Sequence, residues 1–323
     1  MRPVSWGIVS TGHINRLVIP PAKASGLVEL IAVASRDAAR AQEHARRWAI
    51  ERAYGSYDAL LEDPEVEAVY ISLPNSLHCE WSIRALQAGK HVLCEKPLGR
   101  RAADVETAFD AAEEAGRLLM EGFMYRHNPQ TRKLQALVRR GAIGALRLIR
   151  GAFSFTVTSP RDIRLLPELD GGALMDVGCY CVSSSRQLAG EPERVSAEQV
   201  TGATGVDVVF AGTLSFPDGV IAHFDAGLAL PERDELEVIG EEGTLFLDDP
   251  WHCRVPVIEL RMGGDADRIE CEPDDSYRLE LENLSAAIRG EAEPLLGRED
   301  AVGNARAIEA LYASAESGAP VTL

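Results

Sequence analysis

A lysine that follows a short apolar segment is the residue in this chain whose position best suits chemistry. Residues 91–94 read as a buried strand that ends abruptly in Glu95, Lys96 and Pro97. Proline fixes its own φ and restricts the residue before it, so the Lys96 backbone is held in an extended or turn conformation. The carboxyl ends of strands in an open α/β sheet form its ligand crevice. The segment therefore predicts a lysine that meets a substrate oxygen, with a surface Lys96–Glu95 pair as the plainer alternative.

A second candidate pair, Asp176 and Tyr180, follows a Gly171-Gly172 turn. Residues four apart on a helix lie on one face, so both side chains can point at one substrate. The alternative is an acid at the helix N-terminus beside a partly buried tyrosine.

Strands and helices must alternate to position these residues. In the first 122 residues, apolar strands are predicted near 4–9, 28–34, 68–73, 91–94 and 118–122, with helices near 13–24, 37–48, 76–88 and 102–115. Repeated βα units of this length indicate an α/β fold with a doubly wound parallel sheet.

After residue 122 the pattern changes to period-two strands. These are predicted near 145–157, 194–200, 206–216, 220–229, 235–239 and 244–247, with helices near 130–139, after Gly172, and at 276–289 and 299–317. Hairpin-like turns at 217–219 and 241–243 favour a large, open, mainly antiparallel sheet in an α+β domain.

Length and charge limit the class of protein. A chain of 323 residues suggests two domains, which we place at residues 1–122 and 123–323. The net charge of −17 argues against nucleic acid or an anionic membrane as a partner. No apolar run approaches the roughly 18 residues that span a bilayer, and the N-terminus runs directly into a strand without room for a signal peptide. We expect a cytoplasmic protein.

The cysteines do not predict a metal site. The chain has six, none in a C-x-x-C pair, and a cytosolic protein rarely forms disulfides. Cys179 and Cys181 have C-x-C spacing, but their neighbours supply no further set of ligands. We expect no bound metal.

The turn between the first predicted strand and helix resembles the dinucleotide fingerprint G-x-G-x-x-G. Ser10 stands at the first glycine position and Asn15 at the third, and Gly12 is kept where the backbone must approach the pyrophosphate. Backbone N–H groups and the positive end of the helix dipole would hold the diphosphate. The residues predicted to bind it are Ser10, Thr11, Gly12, His13 and Ile14.

The end of the second strand bears on the choice between NAD and NADP. An NAD site usually places an acidic residue there, whereas Ser35 and Arg36 suit a 2′-phosphate better by hydrogen bond and charge. Alternatively, Ser35 and Asp37 are helix caps and Arg36 is a solvated side chain. We expect NADP as the preferred cofactor, with NAD possible.

The turns after the next two strands lie at the same carboxyl edge. We expect contacts to the ribose or nicotinamide end from Leu73, Pro74, Asn75, His78, Glu95 and Lys96. A structural role for His78 within the first helical turn is the alternative.

Taken in order, these motifs resemble the Gfo/Idh/MocA family, which includes glucose–fructose oxidoreductase and inositol dehydrogenase. The E-K-P and G-G-A-L-x-D-x-G-x-Y motifs are specific together, and the resemblance covers nearly the whole chain. The segments that carry it are Gly7–Asn15, Ala34–Asp37, Pro74–His78, Gly89–Leu98, Glu121–Gln130 and Gly171–Tyr180.

The resemblance implies an NAD(P)-binding Rossmann domain and an α+β domain whose open sheet often forms a homodimer or homotetramer. It implies hydride transfer between NAD(P) and a sugar, polyol or related carbinol. It makes Lys96 the catalytic lysine and Asp176 the aspartate that orients the substrate. Tyr180 stands where inositol dehydrogenases carry histidine, which resembles the branch of aldose (xylose) dehydrogenases and dihydrodiol dehydrogenase.

Oxidation of a hydroxyl needs a group that exchanges its proton. Phenol and ammonium have reference pKa values of about 10; a nearby cationic Lys96 favours tyrosinate, and desolvation lowers a lysine pKa. Our hypothesis is that Tyr180 or Lys96 exchanges the proton while the other polarises the oxygen, and that Asp176 binds a neighbouring hydroxyl. Arg164, Tyr125 and Arg126 are further candidates for substrate contacts, with a structural ion pair as the alternative for Arg126.

The sequence therefore predicts an NAD(P)-dependent oxidoreductase of sugars or polyols, either an aldose dehydrogenase or a ketosugar reductase. Two alternatives remain: a dehydrogenase of less polar dihydrodiols, and a dinucleotide-binding sensor without catalysis. The presence of Lys96, Asp176 and Tyr180 argues against the sensor, which has no need for that set.

Overall fold

The computed structural model describes residues 2–323, and the chain divides into two compact units. The first unit comprises Met1–Gly99, Ala103–Met124 and Asp275–Val302. The second comprises Arg100–Ala102, Tyr125–Asp274 and Gly303–Leu323.

The first unit is built on a parallel sheet with the strand order β3-β2-β1-β4-β5-β6. Its strands are β1 (Val4–Val9), β2 (Val28–Ala34), β3 (Arg52–Tyr54), β4 (Ala68–Ile71), β5 (His91–Glu95) and β6 (Leu119–Gly122). Most of these strands are continuous apolar runs, as expected where helices cover both faces of a sheet. The predicted doubly wound sheet is confirmed.

The helices along the first part of the chain are α1 (Asn15–Ala24), α2 (Ala38–Trp48), α3 (Tyr57–Leu61), α4 (His78–Gln87) and α5 (Ala102–Ala115). The elements β3 and α3 are not among those predicted from the sequence. Both are short, and β3 is only half-buried, so neither leaves a recognisable apolar period.

One helix from the end of the chain returns to the first unit. This is α8 (Ser276–Ile288), which the sequence analysis placed with residues 123–323. It packs against α1, and the indole N–H of Trp6 on β1 donates to Ser285 Oγ across 3.1 Å. An amphipathic pattern in the sequence indicates that a helix is half-buried, but it does not indicate which sheet the helix packs against.

The second unit contains a mixed sheet with the order β14-β13-β12-β11-β7-β10-β9-β8-β15. The strands are β7 (Leu146–Thr156), β8 (Arg194–Thr201), β9 (Asp207–Ser215), β10 (Ile221–Gly227), β11 (Ala229–Gly240), β12 (Thr244–Asp248), β13 (Val257–Met262), β14 (Asp265–Glu270) and β15 (Val321–Thr322). Every neighbouring pair is antiparallel except β7 and β10.

The predicted, mainly antiparallel sheet is therefore confirmed, and hairpins join β9 to β10 and β11 to β12 as expected. The strands β13, β14 and β15 were not predicted. β14 is largely exposed and polar, so it shows no alternation of buried and exposed residues.

The remaining helices are α6 (Pro129–Arg139), α7 (Cys179–Ala189) and α9 (Arg298–Ser317). The Asn128 side chain caps α6 by accepting from the Gln130 N–H, with Pro129 in the first turn. A π-helical segment, Leu174–Gly178, leads directly into α7. Across residues 2–323, no helix is both long and apolar enough to cross a membrane.

Candidate active site

The turn after β1 has the backbone of a glycine-rich loop although it holds one glycine. Ser10 has a φ of 130°, a region that side chains rarely adopt. A Cβ on Gly12 would lie 3.0 Å from the Ser72 carbonyl oxygen and 3.1 Å from Ser10 Oγ, so a side chain there would require these neighbours to move. The structure therefore accounts for the glycine that the motif kept.

Hydrogen bonds of Ser10 and Asn15, which stand at two glycine positions of the motif, stabilise this turn. Ser10 Oγ lies 2.8 Å from both the carbonyl oxygen and Oγ of Ser72, and it accepts the Gly12 N–H. The buried Asn15 donates to the Ser10 carbonyl across 3.0 Å and accepts from Ser72 Oγ across 2.8 Å. The Ser10 hydroxyl is bonded to Gly12 and to Ser72 of the loop after β4, and its contact with the cofactor stays a prediction; Asn15 occupies the third glycine position and bonds both serines.

The start of α1 fits a diphosphate. The helix begins without a capping side chain and without an acidic residue in its first turn, so neither competes with an anion at the positive end of its dipole. Thr11, Gly12, His13 and Ile14 all keep some exposure there, unlike the buried Ser10.

Asp37 and Ser35, at the end of β2, both accept local backbone hydrogen bonds. The carboxylate of Asp37 accepts from the Ala39 and Arg40 N–H groups across 2.8 and 3.1 Å, so it caps α2 and its charge is partly neutralised. The buried Ser35 accepts the Asp37 N–H across 3.3 Å. Both facts support the capping alternative for Asp37 and Ser35.

Arg36 and Arg40 both lie near the Tyr57 hydroxyl. Burial raises the Tyr57 pKa, and the charge of Arg36 and then of Arg40 opposes that rise. The sequence analysis did not include Arg40. Arg40 could have been found from its spacing, because it lies four residues after Arg36, about one helical turn further along the chain.

The contacts of His78 support the structural alternative for this residue, and its contact with the cofactor stays a prediction. Its buried ring has Nδ1 2.8 Å from the Pro97 carbonyl oxygen and Nε2 2.8 Å from the Leu73 carbonyl oxygen. Burial lowers its pKa and the charge of Lys96 acts in the same direction, whereas the two carbonyl contacts oppose that shift because only the cationic ring can donate to both. The ring thereby connects the turn after β4 with the turn after β5. Leu73 is buried beside it, while Pro74 and Asn75 keep partial exposure.

The loop that carries Lys96 is held on both sides. On one side His78 contacts the Pro97 carbonyl, and on the other the Leu98 N–H donates to the carboxylate of Glu121 on β6 across 2.7 Å. Glu95, at the end of β5, accepts a hydrogen bond from the Tyr70 hydroxyl on β4. The Lys96–Pro97 peptide is cis. Lys96 therefore follows its strand in a fixed loop, as the sequence predicted.

In the second unit, the structure brings Asp176 and Arg164 together. Arg164 Nε donates to Asp176 Oδ2 across 2.8 Å, and Arg164 Nη1 lies 3.2 Å from Asp162 Oδ1. The charge of Asp176 is the main reason that the Arg164 pKa is raised, with Asp162 adding to it. Asp162 was missed because it precedes the motif and also caps its own short turn through the Arg164 N–H.

Tyr180 lies against a cluster of aromatic rings. Its centroid is 5.4 Å from Phe153, 5.7 Å from Tyr125 and 6.0 Å from Trp251. Such packing fixes the plane of the phenol ring. Phe153 and Trp251 were not predicted, since an apolar residue on a strand or loop carries no sign of which tyrosine it supports.

Tyr125 and Arg126 both contact the helix that carries Tyr180, and their contacts with substrate stay a prediction. The buried Tyr125 hydroxyl donates to Ser183 Oγ on α7 across 2.9 Å, and Arg126 Nη1 donates to the same oxygen across 3.1 Å. Their contacts anchor the helix that carries Tyr180.

One cluster has the spacing of metal ligands. Among residues 2–323, Asp234, Asp249 and His252 bring three such atoms within 4.8 Å of one another. However, His252 Nδ1 already lies 2.6 Å from Asp234, and the Arg254 guanidinium contacts both oxygens of Asp249. These internal bonds use the oxygens that a metal would need.

Two family models match this chain. The model of the oxidoreductase family with an NAD-binding Rossmann fold covers residues 4–123, and that of the Gfo/Idh/MocA C-terminal domain covers residues 131–246. The chain belongs to the Gfo/Idh/MocA oxidoreductase family. The resemblance seen in the motifs is confirmed, and with it an oxidoreductase whose first domain binds a nicotinamide dinucleotide.

Relatives of this Gfo/Idh/MocA protein match along nearly their whole length. A D-xylose 1-dehydrogenase (NADP(+)) from Haloferax volcanii is 40% identical, covering 98% of this chain and 99% of the relative. A trans-1,2-dihydrobenzene-1,2-diol dehydrogenase from Oryctolagus cuniculus is 33% identical, with 87% and 84% covered.

Solved structures show the same fold. The aldose–aldose oxidoreductase of Caulobacter crescentus, complexed with glycerol, superposes with a TM-score of 0.93 at 31% identity, with 100% of both chains covered. A 3-ketoreductase of Actinomadura kijaniata, in complex with NADP and TDP-benzene, has a TM-score of 0.91 at 31% identity, with 97% and 98% covered.

Proposed function

We propose that this protein is an NADP-preferring sugar oxidoreductase, an aldose dehydrogenase or a ketosugar reductase. The observation that carries this proposal is the charged group around Asp176. The side chains of Arg164, Asp162 and Asp176 are 39%, 27% and 16% exposed, so polar groups are the accessible ones. Charged donors and acceptors of this kind suit the several hydroxyls of a sugar.

The aromatic residues nearby support Tyr180 from within the fold. Phe153 is 7% exposed and Trp251 is fully buried, with its indole N–H donating to the Ala152 carbonyl. They therefore offer little apolar surface to a ligand. Polar rather than aromatic exposure favours a sugar over a less polar diol.

Three side chains are proposed to act on the reacting hydroxyl. Tyr180 or Lys96 exchanges its proton, the other polarises its oxygen, and Asp176 binds a neighbouring hydroxyl. When bound, the dinucleotide supplies the hydride chemistry. In the Actinomadura kijaniata 3-ketoreductase, a lysine and a tyrosine are the residues replaced in solved variants, which is consistent with these roles for Lys96 and Tyr180.

NADP is proposed as the preferred cofactor. Arg36 and Arg40 place two guanidinium groups at the end of β2, where a 2′-phosphate is read in this fold. Guanidinium groups bind phosphate by paired, charge-assisted hydrogen bonds. The named cofactor of the xylose dehydrogenase and of the 3-ketoreductase complex is NADP, which supports the same preference.

A dihydrodiol dehydrogenase is the second candidate, because relatives with that name are 33–34% identical. A sensor without catalysis is the third. It is disfavoured because Lys96 lies in a fixed loop and Asp176 is aligned by Arg164, an arrangement that binding of a dinucleotide alone does not require.

We further propose a cytoplasmic homodimer or homotetramer. Six free cysteines support a reducing compartment. Exposed apolar residues on the second unit's sheet, Val200, Ile221 and Met262, support an assembly surface there. Light scattering after size exclusion measures the assembly directly.

The test is a calorimetric titration of the purified protein with NADPH and NADH, followed by turnover of a panel of aldoses, ketosugars and a trans-dihydrodiol. Selective binding of NADPH with turnover of a sugar is the expected result. Turnover of the diol alone would favour a dihydrodiol dehydrogenase, and tight binding of a nucleotide without any turnover would favour the sensor.

A further inference from the structure

A buried carboxylate in the second unit lies against the start of the segment that carries Asp176 and Tyr180. Asp207 is the first residue of β9 and is 5% exposed. Its Oδ2 accepts the Leu174 N–H across 2.7 Å, and its Oδ1 accepts the Tyr312 hydroxyl of α9 across 2.9 Å. Leu174 is the first residue of the π-helical segment, so this carboxylate caps that segment from a different strand.

Gly172, which lies next to Asp207, links this carboxylate to Arg164 and Asp176. Gly172 donates its N–H to the Arg164 carbonyl, and its own carbonyl accepts the Asp176 N–H across 3.0 Å. Gly172 has a φ of 127°, and a Cβ there would lie 2.1 Å from Asp207 Oδ1. The N–H and the carbonyl of one residue, Gly172, therefore link the backbones of Arg164 and Asp176, and this residue fits only because glycine leaves room for the Asp207 carboxylate.

We propose that Asp207 is a positioning residue, whose carboxylate fixes the first turn of the Leu174–Gly178 segment and thereby the orientation of Asp176 and Tyr180 toward substrate. The proposal rests on the proposed function for its consequence in catalysis. The π-helical geometry makes such an anchor useful, because π turns are rare and an α-helical turn would change the direction of the side chains along the segment.

The surroundings of Asp207 allow its charge to change with pH. Burial raises the pKa of Asp207 to about 6, opposed by its hydrogen bonds from Leu174 and Tyr312 and by the charge of Arg100. The Arg100 guanidinium lies 4.0 Å from the Tyr312 ring centroid, and the charge of Asp170 also acts on Tyr312. A cavity of about 90 Å³ beside these groups, bordered also by Glu316, gives a proton access to the carboxylate.

Asp207→Asn tests the role, because it keeps the shape and removes the charge. We expect kcat to fall about five- to tenfold with the Kd for NADPH unchanged, since the dinucleotide binds the first unit. Wild-type kcat should decline as pH falls through about 6, and the variant should lack that decline. Asp218→Asn, an exposed acid on the same sheet's β9–β10 turn, is the matched control and should behave as wild type.

Tyr312→Phe separates positioning from mere stability. It removes a hydrogen bond that lowers the Asp207 pKa, so the acidic decline of kcat should move to higher pH. A purely structural role would lower the Tm in either variant without moving that decline. Asp207→Asn with wild-type kcat and pH profile would overturn the proposal.

Hydrogen–deuterium exchange keeps the test independent of activity. Peptides covering residues 172–180 should exchange faster in Asp207→Asn than in Asp218→Asn at pH 7.5, because the Leu174 N–H has lost its charged acceptor. Unchanged exchange would refute the anchoring even if no sugar is turned over. Absence of turnover by the wild type, together with the expected change in exchange, would count against the proposed function alone.

Discussion

The guanidinium of Arg164 donates its Nε–H to the carboxylate of Asp176 across 2.8 Å. Arg164 lies in a short turn, Ile163–Leu165, and Asp176 lies in the π-helical segment that begins nine residues after that turn ends. The N–H and the carbonyl of Gly172 link their backbones as well. The fold therefore orients this pair, and if it binds substrate as proposed, this orientation limits the ordering cost of binding.

Arg164→Met should weaken sugar binding. It removes a charged donor and frees the Asp176 carboxylate to rotate, so we expect KM for the sugar to rise about 10- to 100-fold with a smaller fall in kcat. Steady-state kinetics at saturating NADPH or NADP measures both. Arg161→Met, at an exposed position in the same loop, is the control. Equal kinetics for the two variants would remove Arg164 from the site.

Tyr180→Phe should retain the fold and lose proton exchange. The ring still packs against Phe153 and Trp251, so the Tm should change little. Loss of a proton-exchanging group predicts a fall in kcat of about 10²- to 10⁴-fold, with the Kd for NADPH unchanged. Comparison with Lys96→Met decides which residue carries the proton, since the carrier's loss removes a titration from the pH–rate profile. Wild-type kcat in both variants would contradict the proposed chemistry.

Arg36→Ala and Arg40→Ala should each reduce selectivity for NADPH. Each removes a guanidinium from the 2′-phosphate, so Kd for NADPH should rise about tenfold or more while Kd for NADH stays constant. Isothermal calorimetry with both nucleotides measures the ratio. Arg46→Ala, in the last turn of α2, removes one positive charge in the same way and should leave the ratio of the Kd values for NADH and NADPH unchanged. A parallel loss for NADH and NADPH would indicate a structural effect on α2.

His91 should make the fold less stable in acid. Burial lowers its pKa from 6.5 to about 4, with Arg117 adding to the effect, and its Nδ1 accepts the Leu118 N–H across 3.0 Å, which requires the neutral ring. The unfolded chain therefore gains this proton first. This contribution to stability is present above about pH 6.5 and is lost as pH falls toward 4, by roughly 1 kcal/mol at pH 5.5 once solvent screening of the partly exposed ring is allowed for.

Urea unfolding at pH 7.5 and 5.5 checks this loss by comparison with His91→Asn. Asparagine can accept the Leu118 N–H and does not titrate, so the difference between wild type and variant should shrink at the lower pH. His223→Asn, at an exposed position on β10, should show no such change. A constant difference between wild type and His91→Asn would contradict the assignment.

Several features of this protein follow from local sequence alone. The apolar runs of β1, β2, β4 and β5 fixed the parallel sheet, because strands buried on both faces contain little else. The strand-end motif located Lys96, and the spacing of Asp176 and Tyr180 placed them on one continuous helical segment. Each of these depends on contacts between residues near one another in the chain.

Only the tertiary structure decided which distant groups meet. Asp207 is 33 residues from Leu174, and Trp6 is 279 residues from Ser285, so no periodicity connects them. The sequence left His78 as either a cofactor contact or a structural residue, and only folding shows that carbonyl oxygens lie at both of its ring nitrogens. Burial of a polar group requires partners, and those partners come from whichever segments the sheet order brings together. The sequence therefore specified the reactive residue types and their local geometry, while the packing of distant strands determined which of them are supports.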